Sequence, residues 1–136
     1  MSTFELKIIA SDREFYNGYA ESLVIPVEDG EKAILAHHEN MVIATVIGEL
    51  RFTRDDGAKE EAVVGYGFTR IMNNRVLVLV DSAEHPDEID VRRAQEAEER
   101  AKEKLRQKQS IREYYHSQAS LARAMSRLKV TGKYNR

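Results

Sequence analysis

Over the first eighty residues the apolar positions come in short runs, several with a period of two, and turn residues punctuate them. Glu5-Leu6-Lys7-Ile8 alternates as a strand with one buried face does. Leu23 to Ile25, Met41 to Ile47, Glu49 to Thr53, Ala62 to Val64, Phe68 to Met72 and Val76 to Val80 follow. Between them stand Asn17-Gly18, Asp29-Gly30, Gly48, Asp55-Asp56-Gly57 and Asn73-Asn74. Such residues tolerate positive φ and suit tight turns. Pro26 lies inside an apolar run and predicts a strand edge or a bulge, because it has no N–H to give a ladder. Roughly eight to ten short strands, with no helical period between them, predict an antiparallel sandwich or flattened barrel.

After Asp81 the period changes. His85-Pro86 breaks the last strand, and Asp87 to Lys108 is rich in Ala, Glu, Arg and Lys, which predicts a helix. Ala94, Ala97, Ala101 and Leu105 recur at helical spacing, and the alanines would let a second helix approach closely. Ser110-Ile111-Arg112-Glu113 has the form of a capping box. The second helix it opens carries an apolar stripe of Ile111, Tyr114, Tyr115, Gln118, Leu121, Ala122, Met125 and Leu128, with Gly132 placed to end it. A link of a few residues predicts an antiparallel pair. The expected organisation is an all-β module over residues 1–85 and a two-helix hairpin over residues 86–136.

Charge sharpens this division. Residues 1–86 hold 8 Lys+Arg against 15 Asp+Glu, and residues 87–136 hold 13 against 8. The stretch 106–136 has 8 basic residues and a single acid, Glu113. The two ends are therefore expected to meet different partners. A basic arm suits an acidic protein surface, nucleic acid or anionic lipid. The acidic module and the placement of Tyr114 and Tyr115 on the apolar stripe argue against nucleic acid. The chain has no Cys, which excludes disulfides and thiolate chemistry. The absence of a long apolar run or a signal pattern predicts a soluble, cytoplasmic chain.

Candidate chemistry is sparse. His37-His38-Glu39 groups ligand types, but neighbours on a strand point to opposite faces, so a surface loop is the expected reading and no metal site is predicted. Gly65-Tyr66-Gly67 has no helix after it to make a nucleotide loop and is expected to relieve packing between strands. No nucleophile triad, phosphate loop or paired carboxylates stand in a convincing context, so catalysis by this chain alone is not expected. Arg93 and Arg100 share one helix face, as do Arg123 and Arg127. Such pairs can hold a phosphate chain, but on spacing alone a solvated charged surface is the expected reading.

The order of these features resembles the epsilon subunit of bacterial F-type ATP synthase over nearly the whole chain. The resemblance rests on Phe15-Tyr16-Asn17-Gly18, Gly30-Glu31, His38, Gly65-Tyr66-Gly67-Phe68, the strand Val76 to Asp81, Ile89-Asp90-Val91-Arg92-Arg93-Ala94 and Ala119-Ser120-Leu121-Ala122-Arg123-Ala124. The chain departs from the family at Lys32 to Asn40, where the usual prolines and second glycine are missing. The resemblance implies a non-catalytic subunit of the central rotor stalk of a proton- or sodium-transporting enzyme, peripheral on the cytoplasmic side of a bacterial membrane. It implies partners in the gamma subunit, the ring of c subunits and the alpha–beta head, with Gly30, Glu31 and His38 at the gamma and c-ring contact. It implies a hairpin that inhibits ATP hydrolysis when extended, through a basic arm of Arg112, Arg123, Arg127, Lys129 and Lys133. No cofactor is required. A regulatory ATP is implied at Glu84, Ile89, Asp90, Arg93, Ala94, Arg100, Arg123 and Arg127. The alternative is a free-standing nucleotide-sensing or nucleic-acid-binding adaptor that uses the basic second helix.

Overall fold

The computed structural model describes residues 2–107 and 110–134, without the side chains of residues 133 and 134. The strands are β1 Phe4–Ala10, β2 Arg13–Val27, β3 Gly30–Leu35, β4 Met41–Thr45, β5 Gly48–Arg54, β6 Lys59–Val64, β7 Gly67–Met72, β8 Arg75–Val80 and β9 Ala83–Glu84. A 3-10 turn at Pro86–Glu88 leads to α1 Val91–Arg106 and α2 Ile111–Tyr134. The strand order is β4-β7-β8-β1-β2-β5-β6-β9, with β3 also on β2.

β2 turns this run into two layers. Its first half pairs with β1. After a register shift between Ala20 and Ser22 its second half pairs with β5 on one side and β3 on the other. The alternation along β1 and β8 then points Phe4, Leu6, Ile8, Val76, Val78 and Val80 at Leu23, Ile25, Leu50 and Phe52. Two buried hydroxyls, Thr45 and Thr69, pair with each other at 3.0 Å, so neither is left unsatisfied.

The antiparallel expectation holds for every strand pair except one: β1 and β8 run parallel. Apolar alternation carries no strand direction, and these two are far apart in sequence, so no hairpin geometry ties them. Asn17-Gly18 is not a turn but lies in the first half of β2, paired with β1. Gly18 stands there because a Cβ would lie 2.7 Å from the Tyr16 phenol oxygen, which donates to the Tyr19 carbonyl at 2.8 Å. Asn73 and Asn74 do form the β7–β8 turn, with φ of 51° and 63°, the pattern of a two-residue hairpin matched to strand twist. Gly65 and Gly67 meet the end of β8: a Cβ on either would clash with Asp81 or with the Leu79 carbonyl.

The helices also shift from expectation. Asp87 and Glu88 belong to the 3-10 turn, and α1 starts at Val91 with Asp90 as its cap, Oδ1 accepting the Arg93 N–H at 3.2 Å. Lys108, the expected end of this helix, lies outside the described residues. Ser110 caps α2 as expected, accepting the Glu113 N–H at 3.2 Å. Gly132 does not end α2, which runs through it to Tyr134. The predicted apolar stripe is not the packed face. Ile111, Tyr114, Tyr115 and Met125 are exposed, whereas Ser117, Ala124, Val130 and Thr131 are buried. The alanine seam of α1, buried at Ala94 and Ala101, admits only small residues opposite it, so α2 turns its large side chains away.

The hairpin rests on the sandwich through α2, which lies against β5 and β6. There Glu49 and Val63, a cross-strand pair on the outward face, are both buried. Lys129 reaches Glu49 at 3.8 Å.

Candidate functional site

One cleft gathers most of the residues singled out in the sequence. It opens between β9, the 3-10 turn, α1 and the last third of α2, with a volume of about 290 Å³. Glu84, Ile89, Asp90, Arg93, Ala94, Arg100 and Arg127 line it together. Arg123 does not: it sits one turn before Arg127 and is not part of the lining. The lining also holds Glu88 and Ala97, which sequence reasoning missed. The alanine stripe was the available signal for Ala97. For Glu88 there was no local one, because what fixes it is Arg13, a residue 75 positions away.

The geometry follows from the elements. Arg93, Ala94, Ala97 and Arg100 occupy successive turns of one face of α1. Arg127 arrives from α2 and gives both Nε and Nη2 to a single oxygen of Glu84, at 2.9 and 2.6 Å. That ion pair joins α2 to β9 and is about one-third exposed or less on either side. Arg93 and Arg100 form no ion pair among the described residues. Arg13 and the His85 N–H hold the Glu88 carboxyl far below the usual range, at about 2. Glu88 in turn raises the Arg13 guanidinium above its ordinary value.

The cleft thus sets three guanidiniums, from Arg93, Arg100 and Arg127, against three carboxylates, from Glu84, Glu88 and Asp90. Its volume is at the lower end of the roughly 300–1,000 Å³ usual for ligand clefts. It can hold an anion through charge-assisted hydrogen bonds and accept hydrogen bonds from amino or hydroxyl groups beside it. It contains no nucleophile with an adjacent base, so it is suited to binding. The Asp90 carboxylate is already used as a helix cap, which alone accounts for an aspartate there.

The other expected site is divided. Gly30 and Glu31 begin β3 while His38 follows its far end, so the three do not meet. Glu31 is bound to Arg51 at 2.5 Å. His37 has a φ of 64° in the turn after β3, and His38 Nδ1 lies 2.8 Å from the Glu39 carbonyl. Among the described residues no group of three or more His, Asp or Glu could hold a metal ion. Of the basic arm, Arg112 is exposed, Arg127 and Lys129 are tied to Glu84 and Glu49, and the Lys133 side chain lies outside the described residues. No helix among the described residues is long and apolar enough to cross a membrane.

A second surface was not anticipated. The outward face of β4 and β7 exposes Val42, Phe68 and Met72, at 67%, 44% and 48%. Register sets Val42 beside Arg70 and Ala44 beside Phe68, and Leu77 and Leu79 of β8 continue the face. The unbroken apolar run Val76 to Val80 was the available signal, since a strand with one wet face should alternate.

Comparison with known proteins agrees on one family. Residues 3–86 match the model described as ATP synthase, Delta/Epsilon chain, beta-sandwich domain. Residues 87–132 match ATP synthase, Delta/Epsilon chain, long alpha-helix domain. The chain is 44% identical over 133 residues to the ATP synthase epsilon chain of Ruminiclostridium cellulolyticum, covering 98% of each. It is 39% identical to the epsilon chain of Caldanaerobacter subterraneus subsp. tengcongensis, covering 97% of this chain and 96% of that one. Among solved structures it shares the fold of a chain in the Euglena gracilis mitochondrial ATP synthase, with a TM-score of 0.82 at 22% identity over 93% of this chain and 79% of that one.

Proposed function

The chain belongs to the ATP synthase delta/epsilon chain family, and on that premise we propose that it is a rotor-stalk subunit whose hairpin is a movable, ATP-responsive arm. The sandwich grips the gamma subunit and the c ring. The arm inhibits ATP hydrolysis when it extends toward the alpha–beta head. The protein is then non-catalytic and peripheral at the cytoplasmic side of a bacterial membrane. Membership of the family, covering nearly the whole chain, favours this over a free-standing adaptor.

One observation carries the ATP reading. The cleft needs β9, α1 and α2 at once, so a ligand seated in it favours only the docked arm and shifts the balance toward it. Phosphates would lie on Arg93, Arg100 and Arg127, with carboxylates left for the nucleoside. The apolar outward face of β4, β7 and β8 supports the grip on a partner, because exposed apolar patches mark interaction surfaces. Gly30 and Glu31 or His38 extend that contact at one end of the sandwich or the other.

Titration calorimetry on the isolated chain tests this. ATP at up to millimolar concentration is expected to give saturable heat. Arg100→Ala, whose side chain makes no ion pair in the docked arm, is expected to weaken binding about tenfold or more, as loss of a charge-assisted contact does. Absence of heat from the unaltered chain would remove ATP as the ligand.

A further inference from the structure

The joint between sandwich and arm is held by contacts the ligand cleft does not explain. Arg13, at the start of β2, donates to both oxygens of Glu88, each at 2.9 Å. Its Nη2 also donates to the Ala83 carbonyl at 2.5 Å. Glu88 Oε1 accepts the His85 N–H at 2.9 Å. The His85 ring stacks on the Phe15 ring with centroids 4.1 Å apart, and the Arg13 guanidinium carbon lies 5.5 Å from the Phe15 centroid. All of these contacts fall before Ile89 in the chain: the Arg13–Glu88, Arg13–Ala83 and Phe15–His85 contacts join the 3-10 turn or its flank to β2, and the His85 N–H closes the turn on Glu88. Bidentate arginine–carboxylate pairs are strong and directional, so this knot fixes the turn in orientation as well as position.

Beyond Ile89 the pattern reverses. α1 packs on α2, and α2 lies against β5, β6 and the 3-10 turn; its ion pairs to the sandwich are near its C-terminal end, at Arg127 and Lys129, where Val130 is buried. Between the two regimes lie Ile89 and Asp90, both extended, with φ/ψ of −89°/124° and −82°/105°. Rotation about these two residues re-aims α1 without touching the knot.

We propose that the Arg13–Glu88 clamp keeps the Pro86–Glu88 turn on the sandwich in both states of the arm, and that the arm swings about Ile89 and Asp90. This rests on the movable-arm reading above. It makes Arg13 a positioning residue: it holds the fixed wall of the cleft. The hinge then separates most of the charge in the cleft. Glu84 and Glu88 stay with the sandwich, Arg93, Arg100 and Arg127 leave with the arm, and Asp90, the cap of α1, stands at the hinge between them. A ligand that engages both walls pins the arm down.

Amide hydrogen exchange on the full chain, read residue by residue, tests the hinge. Arg127→Ala combined with Val130→Asp removes the far anchor of α2. In that variant amides 124–131 are expected to exchange about tenfold faster, while those of His85 and Glu88 keep their original rates. If 124–131 open and His85 and Glu88 open with them, the hinge lies upstream and the clamp proposal falls, while the movable arm stands. If 124–131 do not open, the movable arm falls and the hinge with it. In Arg13→Ala the reverse is expected: His85 and Glu88 speed up about tenfold while Leu6 and Ile8 of β1 do not. If that variant disrupts β1, Glu88→Gln replaces it, since it keeps the shape and removes the charge. Unchanged rates at His85 and Glu88 in both variants would overturn the clamp.

Discussion

Among the buried side chains of the sandwich many are large, including Phe4, Leu6, Ile8, Leu23, Ile25, Leu50 and Ile71. Those of the hairpin are Ala94, Ala101, Ser117, Ala124, Val130 and Thr131. Apolar burial contributes roughly 25 cal/mol per Å², so the first set supplies far more cohesion than the second. The sandwich is one cooperative body whose strands share a core. The hairpin is a close pair of helices, joined to that body by a short clamped turn and by a few contacts near the end of α2. The charge division acts across the same line: two residues of the basic arm, Arg127 and Lys129, are paired with acids of the sandwich. In this structure the acidic partner of the arm is the chain's own β-module.

The largest effect is expected from Ile8→Ala. Ile8 is completely buried, and removing such a side chain costs about 2–5 kcal/mol. Urea unfolding should show the stability of the sandwich fall by that much and its midpoint fall in proportion, with hairpin helicity lost in the same transition. If the hairpin keeps its helicity after the sandwich has unfolded, the two are independent bodies and the comparison needs redrawing. Ala101→Leu is expected to act in the opposite region. It overpacks a seam built for small residues, at a cost of about 1–3 kcal/mol. Amide exchange in α1 and α2 should quicken while β1 and β8 stay as they were. Equal quickening in both regions would mean that the seam supports the sandwich too.

This difference also explains what could be read ahead of the structure. Alternation in β1 and the turn residues at Asn73-Asn74 announced the sandwich because burial and positive φ are local demands. Strand direction between β1 and β8 was invisible, since it depends on where the chain returns. In the hairpin the existence of both helices was legible, but the packed face of α2 was not. Hydrophobicity pointed to Ile111, Tyr114 and Met125, whereas the fit to an alanine seam selected Ser117 and Ala124. The cleft arginines were legible as pairs on α1, yet spacing could not show that Arg127 enters the cleft and Arg123 does not. Glu88 was missed because its place depends on Arg13 of β2, 75 residues earlier in the chain.

The clamp where the regions join gives the smallest expected effect and the most selective one. Glu88 has its carboxyl lowered from 4.5 to about 2, first by the Arg13 hydrogen bond and then by the His85 N–H. A carboxyl lowered by folding adds stability above its unfolded value and loses it as the pH falls through its folded one. The Glu88 contribution should therefore be complete above about pH 4.5 and disappear progressively toward pH 2. Arg13 and Glu88 are 35% and 39% exposed, so solvent screening holds the contribution below about 1 kcal/mol. Asp56, lowered mainly by Arg54, titrates in the same sense, and a fall in overall stability in acid would not separate the two. Glu88→Gln does. It should remove the acid-induced loss of protection, relative to intrinsic exchange, at the amides of His85 and residue 88 between about pH 4.5 and 3 while leaving that of the Asp55–Gly57 turn in place. If both regions keep their acid sensitivity in the variant, the joint is held by the Phe15–His85 stack instead, and the boundary between the fixed and moving regions does not depend on charge.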